Sequence, residues 1–351
     1  MKLRDILGGD VLKQFNTKNG LDDKKPFISS LKPGMVVQTD VKVISKRLQE
    51  ARNGSKFLLL TLSDRTGAIR AVDWHNAEYN DEKLDVGTVV RVKGKIVVFN
   101  ERLQLNLDPN NGISILHEES YDPLRFVSVT KKNISEMYDR LCNLIDSIGN
   151  DYLKSLLNFI FIEDKDFVRN FVVCPAAVKI HHAYKGGLLE HTLSVAELCD
   201  YLAQRNPDCI NRDLLITGAL LHDIGKTKEY TLSSSGIEKT DVGEILGHIA
   251  MGAELVTKYI NKIPDFPSFM LAEIKHFILS HHGEMEWGSP VVPKTTEAMV
   301  LHMADNLDSK MAQFREIESR EYNSSDNNWS NYDKFLNRRI FMKNRDENFE
   351  I

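Results

Sequence analysis

Apolar and polar residues alternate along the first third of the chain and recur every three or four positions along the rest. Met35–Ser45 alternates and is rich in valine, the mark of a half-buried strand. The charged run KRLQEARNGS reads as a turn. Lys56–Ser63 and Ala68–Trp74, joined by Asp64-Arg65-Thr66-Gly67, carry a hairpin signal. Residues 75–85 are polar and read as a short helix or loop. Strands are expected again at Thr88–Phe99, Arg102–Leu107 and Ile113–Leu116. Some five strands with a helix-sized insert after the third predict a small Greek-key β-barrel of the OB type.

After residue 131 the period becomes helical. Apolar residues at three- and four-residue spacing predict helices over Ile134–Ile148, Tyr152–Phe161, Asp166–Phe171 and Leu188–Ala203. The same spacing continues over Arg212–Ile224, Ile245–Ile263, Phe269–Leu279 and Thr296–Phe314. Prolines 207, 264, 267, 290 and 293 mark the joins. The fold class is therefore multi-domain, β followed by all-α. The expected order is a leader over 1–30, an OB-fold domain over 31–117, a linker over 118–131, a helical domain over 132–317 and a tail over 318–351. A short helix over residues 2–15 is expected in the leader. The tail is polar with aromatic points, and it reads as a wrap around the surface.

Composition narrows the class. The chain has 351 residues, 42% hydrophobic and 27% charged, which suits a soluble globular protein. No stretch approaches 18 uncharged apolar residues, so no membrane helix is expected, and the N-terminus lacks the apolar core of a secretory signal. Four cysteines (Cys142, Cys174, Cys199, Cys209) form no CxxC pair, which points to a reducing cytoplasm. The net charge of −5 divides unevenly. Residues 31–120 hold 13 basic and 12 acidic side chains and residues 1–30 hold six and four, so the helical remainder carries −8.

Histidine is the most informative residue. Nine of the eleven lie between His181 and His302, where an even spread would place about a third of them. A lone histidine on an apolar helix is more often a satisfied core residue, and His276 and His302 read that way. The others fall into a pattern: His191, His222-Asp223, His248, His281-His282 and Asp305, each on or at the end of a predicted helix. The apolar run LLITGALL ends in His-Asp-x-Gly-Lys, where a carboxylate enters a buried setting. Such burial is costly unless a cation pairs it. Imidazole and carboxylate together suit Mn²⁺, Fe²⁺, Co²⁺ or Zn²⁺. Five histidines and two aspartates exceed what one ion with open water sites needs, and two ions bridged by Asp223 fit the count. Such a pair activates water against a phosphodiester. Lys226, three residues on, could hold a phosphate oxygen or stabilise the leaving oxygen.

The stretches HHAYKGGLLEHTLSVAEL (181–198), LLHDIGKTKEY (220–230), GHIAMG (247–252) and SHHGEMEWGSPVVPKTTEAMVLHMADNLDSKM (280–311) resemble the HD-domain phosphohydrolase superfamily. More narrowly, residues 32–343 resemble the YhaM-type 3′→5′ exoribonucleases, which join an OB fold to an HD domain. The resemblance implies hydrolysis of single-stranded RNA from its 3′ end, with single-stranded DNA as a further substrate. It implies two divalent ions, Mn²⁺ foremost, with Co²⁺, Fe²⁺ or Mg²⁺ as alternatives. Carried over, His191, His222, Asp223 and Asp305 would hold one ion, and Asp223, His248, His281 and His282 the other. Lys226 would contact the scissile phosphate. His182 and Lys185, in the Gly-rich approach to the first ligand, would touch substrate. Asp308, one turn after Asp305, would orient a ligand.

In the barrel, Arg91, Lys93 and Lys95 alternate along one strand and so share a face, a candidate phosphate track, with Trp74 as a candidate base platform. Two other readings compete: an HD phosphohydrolase acting on a small or cyclic nucleotide, and a non-enzymatic single-strand binder. The complete ligand set disfavours the second. No membrane partner is expected, and a homo-oligomer is left open.

Overall fold

The computed structural model describes residues 3, 25–100, 102–122, 125–178, 182–233, 236–321 and 328–342. The helix expected over residues 2–15 lies, Leu3 apart, outside them. The chain divides into two compact units. One comprises Met1–Ser135, Tyr184–Gly186 and Tyr230–Thr240, the other Glu136–Ala183, Gly187–Glu229 and Asp241–Ile351.

The first unit is built on a barrel. Its strands are β1 (Val36–Glu50), β2 (Lys56–Asp64), β3 (Gly67–Asp73), β4 (Val89–Phe99), β5 (Arg102–Leu107) and β6 (Ile113–Ile115), with helix α1 (Ala77–Lys83) between β3 and β4. The order β1-β2-β3-β5-β4 closes through a β1–β4 pairing, and β3 and β5 run parallel. This is the OB-type barrel that the alternation predicts. Inward-facing Val37, Val41, Leu58, Leu60, Leu62, Val90, Val92, Ile96 and Leu105 fill its core. β1 is longer than the sequence suggests: KRLQE continues the strand instead of turning. Those residues pair with β2 (Arg47↔Leu59, Leu48↔Leu58, Gln49↔Phe57), and Leu48 packs on the core. Their backbone bonds thus go into the ladder, and only Ala51–Ser55 is left to turn.

Arg125 is buried among barrel residues. It donates to the carbonyls of Asp40 and Pro26 and to the Thr39 hydroxyl, and its guanidinium lies 4.2 Å from the Phe27 ring centroid. A hairpin of β7 (Tyr230–Ser233) and β8 (Gly236–Lys239) also belongs to this unit. It interrupts the helical half of the sequence, and helical periodicity gives no sign of it.

The second unit is helical: α2 (Ile134–Asp146), α3 (Asp151–Asn158), α4 (Lys165–Val173), α5 (Gly187–Arg205), α6 (Arg212–Leu221), the short α7 (Lys226–Glu229), α8 (Asp241–Ile260), α9 (Ser268–Ser280) and α10 (Thr296–Glu321). α3 runs into a π-helical turn, Phe159–Glu163, where the apolar spacing predicts an ordinary helix to Phe161. The apolar stripes meet in a core that includes Tyr138, Phe161, Phe171, Leu189, Leu215, Phe277 and Leu301. The tail places Leu336 and Ile340 against Ile317 and Phe314 of α10. Among the described residues no helix is long and apolar enough to cross a membrane.

Candidate metal centre

The polar residues of interest sit where buried helices end or break. α6 is buried from Leu214 to Leu221 and closes on His222-Asp223, while α9 closes on His281-His282. His248 follows a break in α8 at Gly247, whose φ of 70° is open to glycine at little cost. His191 is in α5, and Asp305 and Asp308 lie one turn apart on α10. Gly225 permits the closest approach: a Cβ there would meet the backbone carbonyl of His248.

Asp223 lies between two groups of imidazoles. Its Oδ2 is 3.4 Å from Nε2 of both His191 and His222. Its Oδ1 is 3.6 Å from Nε2 of both His248 and His281. Asp305 Oδ1, 3.2 Å from His191 Nε2, joins the first group. His282 joins the second, with one donor atom from each of His248, His281 and His282 within 4.8 Å of the others.

Each ring is held from behind through Nδ1. His222 donates to the Ala219 carbonyl at 2.8 Å, His281 to the Ile278 carbonyl at 2.8 Å and His282 to the Trp287 carbonyl at 3.1 Å. His248 pairs with Glu229 and His191 with Asp308, both at 2.8 Å. A carbonyl only accepts, so Nδ1 carries a proton at His222, His281 and His282, and Nε2 is the nitrogen each ring can offer to a metal.

Asp223 Oδ1, His248 Nε2 and His281 Nε2 are buried and make no hydrogen bond. Convergent buried acceptors without a donor are costly, and a divalent cation relieves that cost. The mixed imidazole–carboxylate set fits one.

Electrostatics agree with that fit on the side of His248, His281 and His282. Burial pushes the pKa of His248 and His281 down against the pull of their carboxylate neighbours, and it pushes His282 down to about 4 with help from His281. Neutral imidazole is the form that binds metal. Burial also works against the charge on Asp223, but Lys226, His222 and His191 outweigh it and hold the carboxyl well below the usual range. His191 is buried too, yet its bonds to Asp223, Asp305 and Asp308 keep its pKa well above that of an ordinary imidazole.

All seven expected ligands converge here. Lys226 Nζ lies 2.6 Å from Asp223 Oδ2. His182 is buried with a φ of 57° and reaches Asp308 Oδ2 at 3.0 Å, so it supports that carboxylate and does not face open cleft. Lys185 is 2% exposed. Burial lowers its ammonium to about 8 against the pull of Asp122, and this placement does not open it to a substrate.

On the barrel, Arg91, Lys93 and Lys95 do alternate outward, but Arg91 bonds Asp40 at 2.8 Å and Lys93 lies 3.6 Å from Asp108. Trp74 is half-exposed, its ring 4.7 Å from that of Phe57. These two rings line a groove of about 710 Å³ with Lys46, Arg47, Arg70 and Phe99. Glu229, which aligns His248, escapes a reading of the sequence because a single glutamate at a helix end carries no pattern.

Comparison with known proteins agrees with both halves. Residues 34–109 match an OB-fold nucleic acid binding domain and residues 188–310 match the HD domain. The chain is 34% identical over 261 residues to the 3′-5′ exoribonuclease YhaM of Bacillus subtilis, covering 74% of this chain and 81% of that one. It is 32% identical over 279 residues to the YhaM of Geobacillus sp. (strain WCH70), covering 78% and 83%. Against the YhaM of Oceanobacillus iheyensis it is 34% identical over 265 residues, covering 74% and 79%.

Proposed function

The chain belongs to the YhaM family of 3′-5′ exoribonucleases, and from that premise we propose that it hydrolyses single-stranded RNA from the 3′ end at the centre around Asp223. It is a metal-dependent enzyme on this reading, with Mn²⁺ as the proposed ion and two ions per chain. The observation that carries the reading is the division of Asp223, whose two oxygens face two different sets of imidazoles. His191, His222, Asp223 and Asp305 would hold one ion, and Asp223, His248, His281 and His282 the other.

Bound there, the ions would lower the pKa of water and offset the charge of the phosphodiester. The chain's own groups do the rest. Asp308, Glu229 and the carbonyls of Ala219, Ile278 and Trp287 fix the rings. Lys226, whose ammonium charge is favoured by Asp223 against the cost of its partial burial, can turn from that carboxylate to a phosphate oxygen. The barrel groove, with Phe57, Trp74, Phe99 and three cations, has the character of a single-strand site. Single-stranded DNA would fit the same features. Four free cysteines suit the cytoplasm.

The test is release of label from a 3′-labelled single-stranded RNA with Mn²⁺, against a cyclic dinucleotide as competing substrate. Preferential hydrolysis of the dinucleotide would favour the small-nucleotide reading.

A further inference from the structure

Beyond the ligands, the cleft of about 260 Å³ over Asp223 is lined by Trp287, Asn306, Ser309, Lys310 and Gln313. Neither metal binding nor ring alignment uses these side chains. Trp287 ends a short 3-10 turn, Met285–Trp287, between the His281-His282 pair and α10. Its carbonyl receives His282 Nδ1, so the turn is tied to the centre. Its indole ring lies 6.0 Å from that of His302, tilted by 38°, and the residue is 56% exposed. His302 is itself fixed, donating through Nδ1 to the His281 carbonyl. A large aromatic surface thus faces water on a firmly held turn beside the reacting centre.

Asn306, Ser309 and Lys310 sit at three- and four-residue spacing on one face of α10. Among the described residues none of the three side chains makes a hydrogen bond or ion pair. A flat apolar ring on one side and a hydroxyl, an amide and an ammonium on the other match the parts of one nucleoside, its base and its ribose.

We propose that this cleft is the subsite of the 3′-terminal nucleotide, with Trp287 stacking its base and the Asn306–Ser309–Lys310 face taking its ribose hydroxyls. The proposal rests on the reading of the centre as a 3′-end nuclease. Stacking on Trp287 accepts any base, because every base offers a π-face. Degradation would therefore proceed through all four nucleotides.

The experiment compares two single-stranded RNAs of equal length, one ordinary and one with an abasic 3′-terminal nucleotide. In the wild type, loss of the base should raise KM by roughly 10- to 100-fold, the range expected for one base–aromatic stack, with kcat little changed. Trp287→Ala should show the raised KM on both RNAs, and Trp287→Phe should restore most of the discrimination. Unchanged discrimination in Trp287→Ala would overturn the subsite, as would sensitivity only to an abasic penultimate nucleotide. A wild type that cuts neither RNA would sink the nuclease reading instead. Fluorescence quenching by adenosine 5′-monophosphate would then decide the subsite: it should weaken in Trp287→Phe, and equal quenching in both proteins would contradict it.

Discussion

Nε2 of His281 lies 3.6 Å from Oδ1 of Asp223, and both atoms are buried with no hydrogen bond. The same carboxylate turns its other oxygen to His191 and His222. If Asp223 bridges two ions, Asp223→Ala should lose metal and activity together. Elemental analysis by mass spectrometry should find near two ions per wild-type chain, and one ion would contradict bridging. Chelation should lower the melting temperature, since a ligand held at about 100 times its Kd contributes about 2.7 kcal/mol to the folded state.

Asp308 accepts from His191 Nδ1 at 2.8 Å and from Ser194 Oγ at 2.5 Å, and also contacts His182. It holds the ring of the proposed ligand His191 without being placed among the ligands itself. Asp308→Asn should weaken metal affinity by about 10- to 100-fold, the usual cost of losing such support. Excess metal should restore much of its activity. Equilibrium dialysis measures this, and wild-type affinity in the variant would contradict the role.

Protons compete with metal for imidazole nitrogens, so affinity must fall as pH falls. Burial places His282 at about 4, below the ordinary 6.5, and depresses His248 and His281 as well. A group with a lowered pKa stays neutral, and able to bind, until the pH nears that lower value. The ion on this side should therefore persist below pH 6.5. Metal content measured from pH 8 to pH 4 checks the sign, and loss of this ion centred at 6.5 would contradict it.

On the barrel, the three cations of β4 should behave differently. Arg91 and Lys25 share the carboxylate of Asp40, whose side chain is 4% exposed, so Arg91→Ala removes one of the two cations that hold a buried charge. It should cost about 1–3 kcal/mol of stability. Lys95→Ala is a surface change and should stay within about 0.5 kcal/mol. If Lys95 contacts a phosphate, its loss should reduce the salt dependence of RNA binding by about 0.7 in the log–log slope. Denaturant melts and binding at several salt concentrations separate the two effects.

The residues that converge on Asp223 were legible because chemistry interrupts pattern there. His222-Asp223 and His281-His282 end apolar helices, so these polar pairs appear where burial should have continued, and His248 follows the break at Gly247. The barrel was legible from its alternation. What escaped was set by tertiary partners. KRLQE looks like a turn until Leu58 and Leu59 of β2 supply its ladder. The β7–β8 hairpin is too short for a period to register. Arg125 lies in a stretch that reads as linker, yet it becomes a buried anchor only because Pro26, Thr39 and Asp40 come together around it. Arg91 looked like a free phosphate contact because its cross-strand partner, Asp40, is 51 residues away.

The most direct measurement follows a 3′-labelled single-stranded RNA with purified protein and Mn²⁺. The label should leave as mononucleotide from the earliest times, and the Asp223→Ala protein should leave the RNA whole. Intact RNA with the wild type, label released in 3′-terminal fragments longer than one nucleotide, or full activity in Asp223→Ala would contradict a 3′-end exonuclease acting at Asp223.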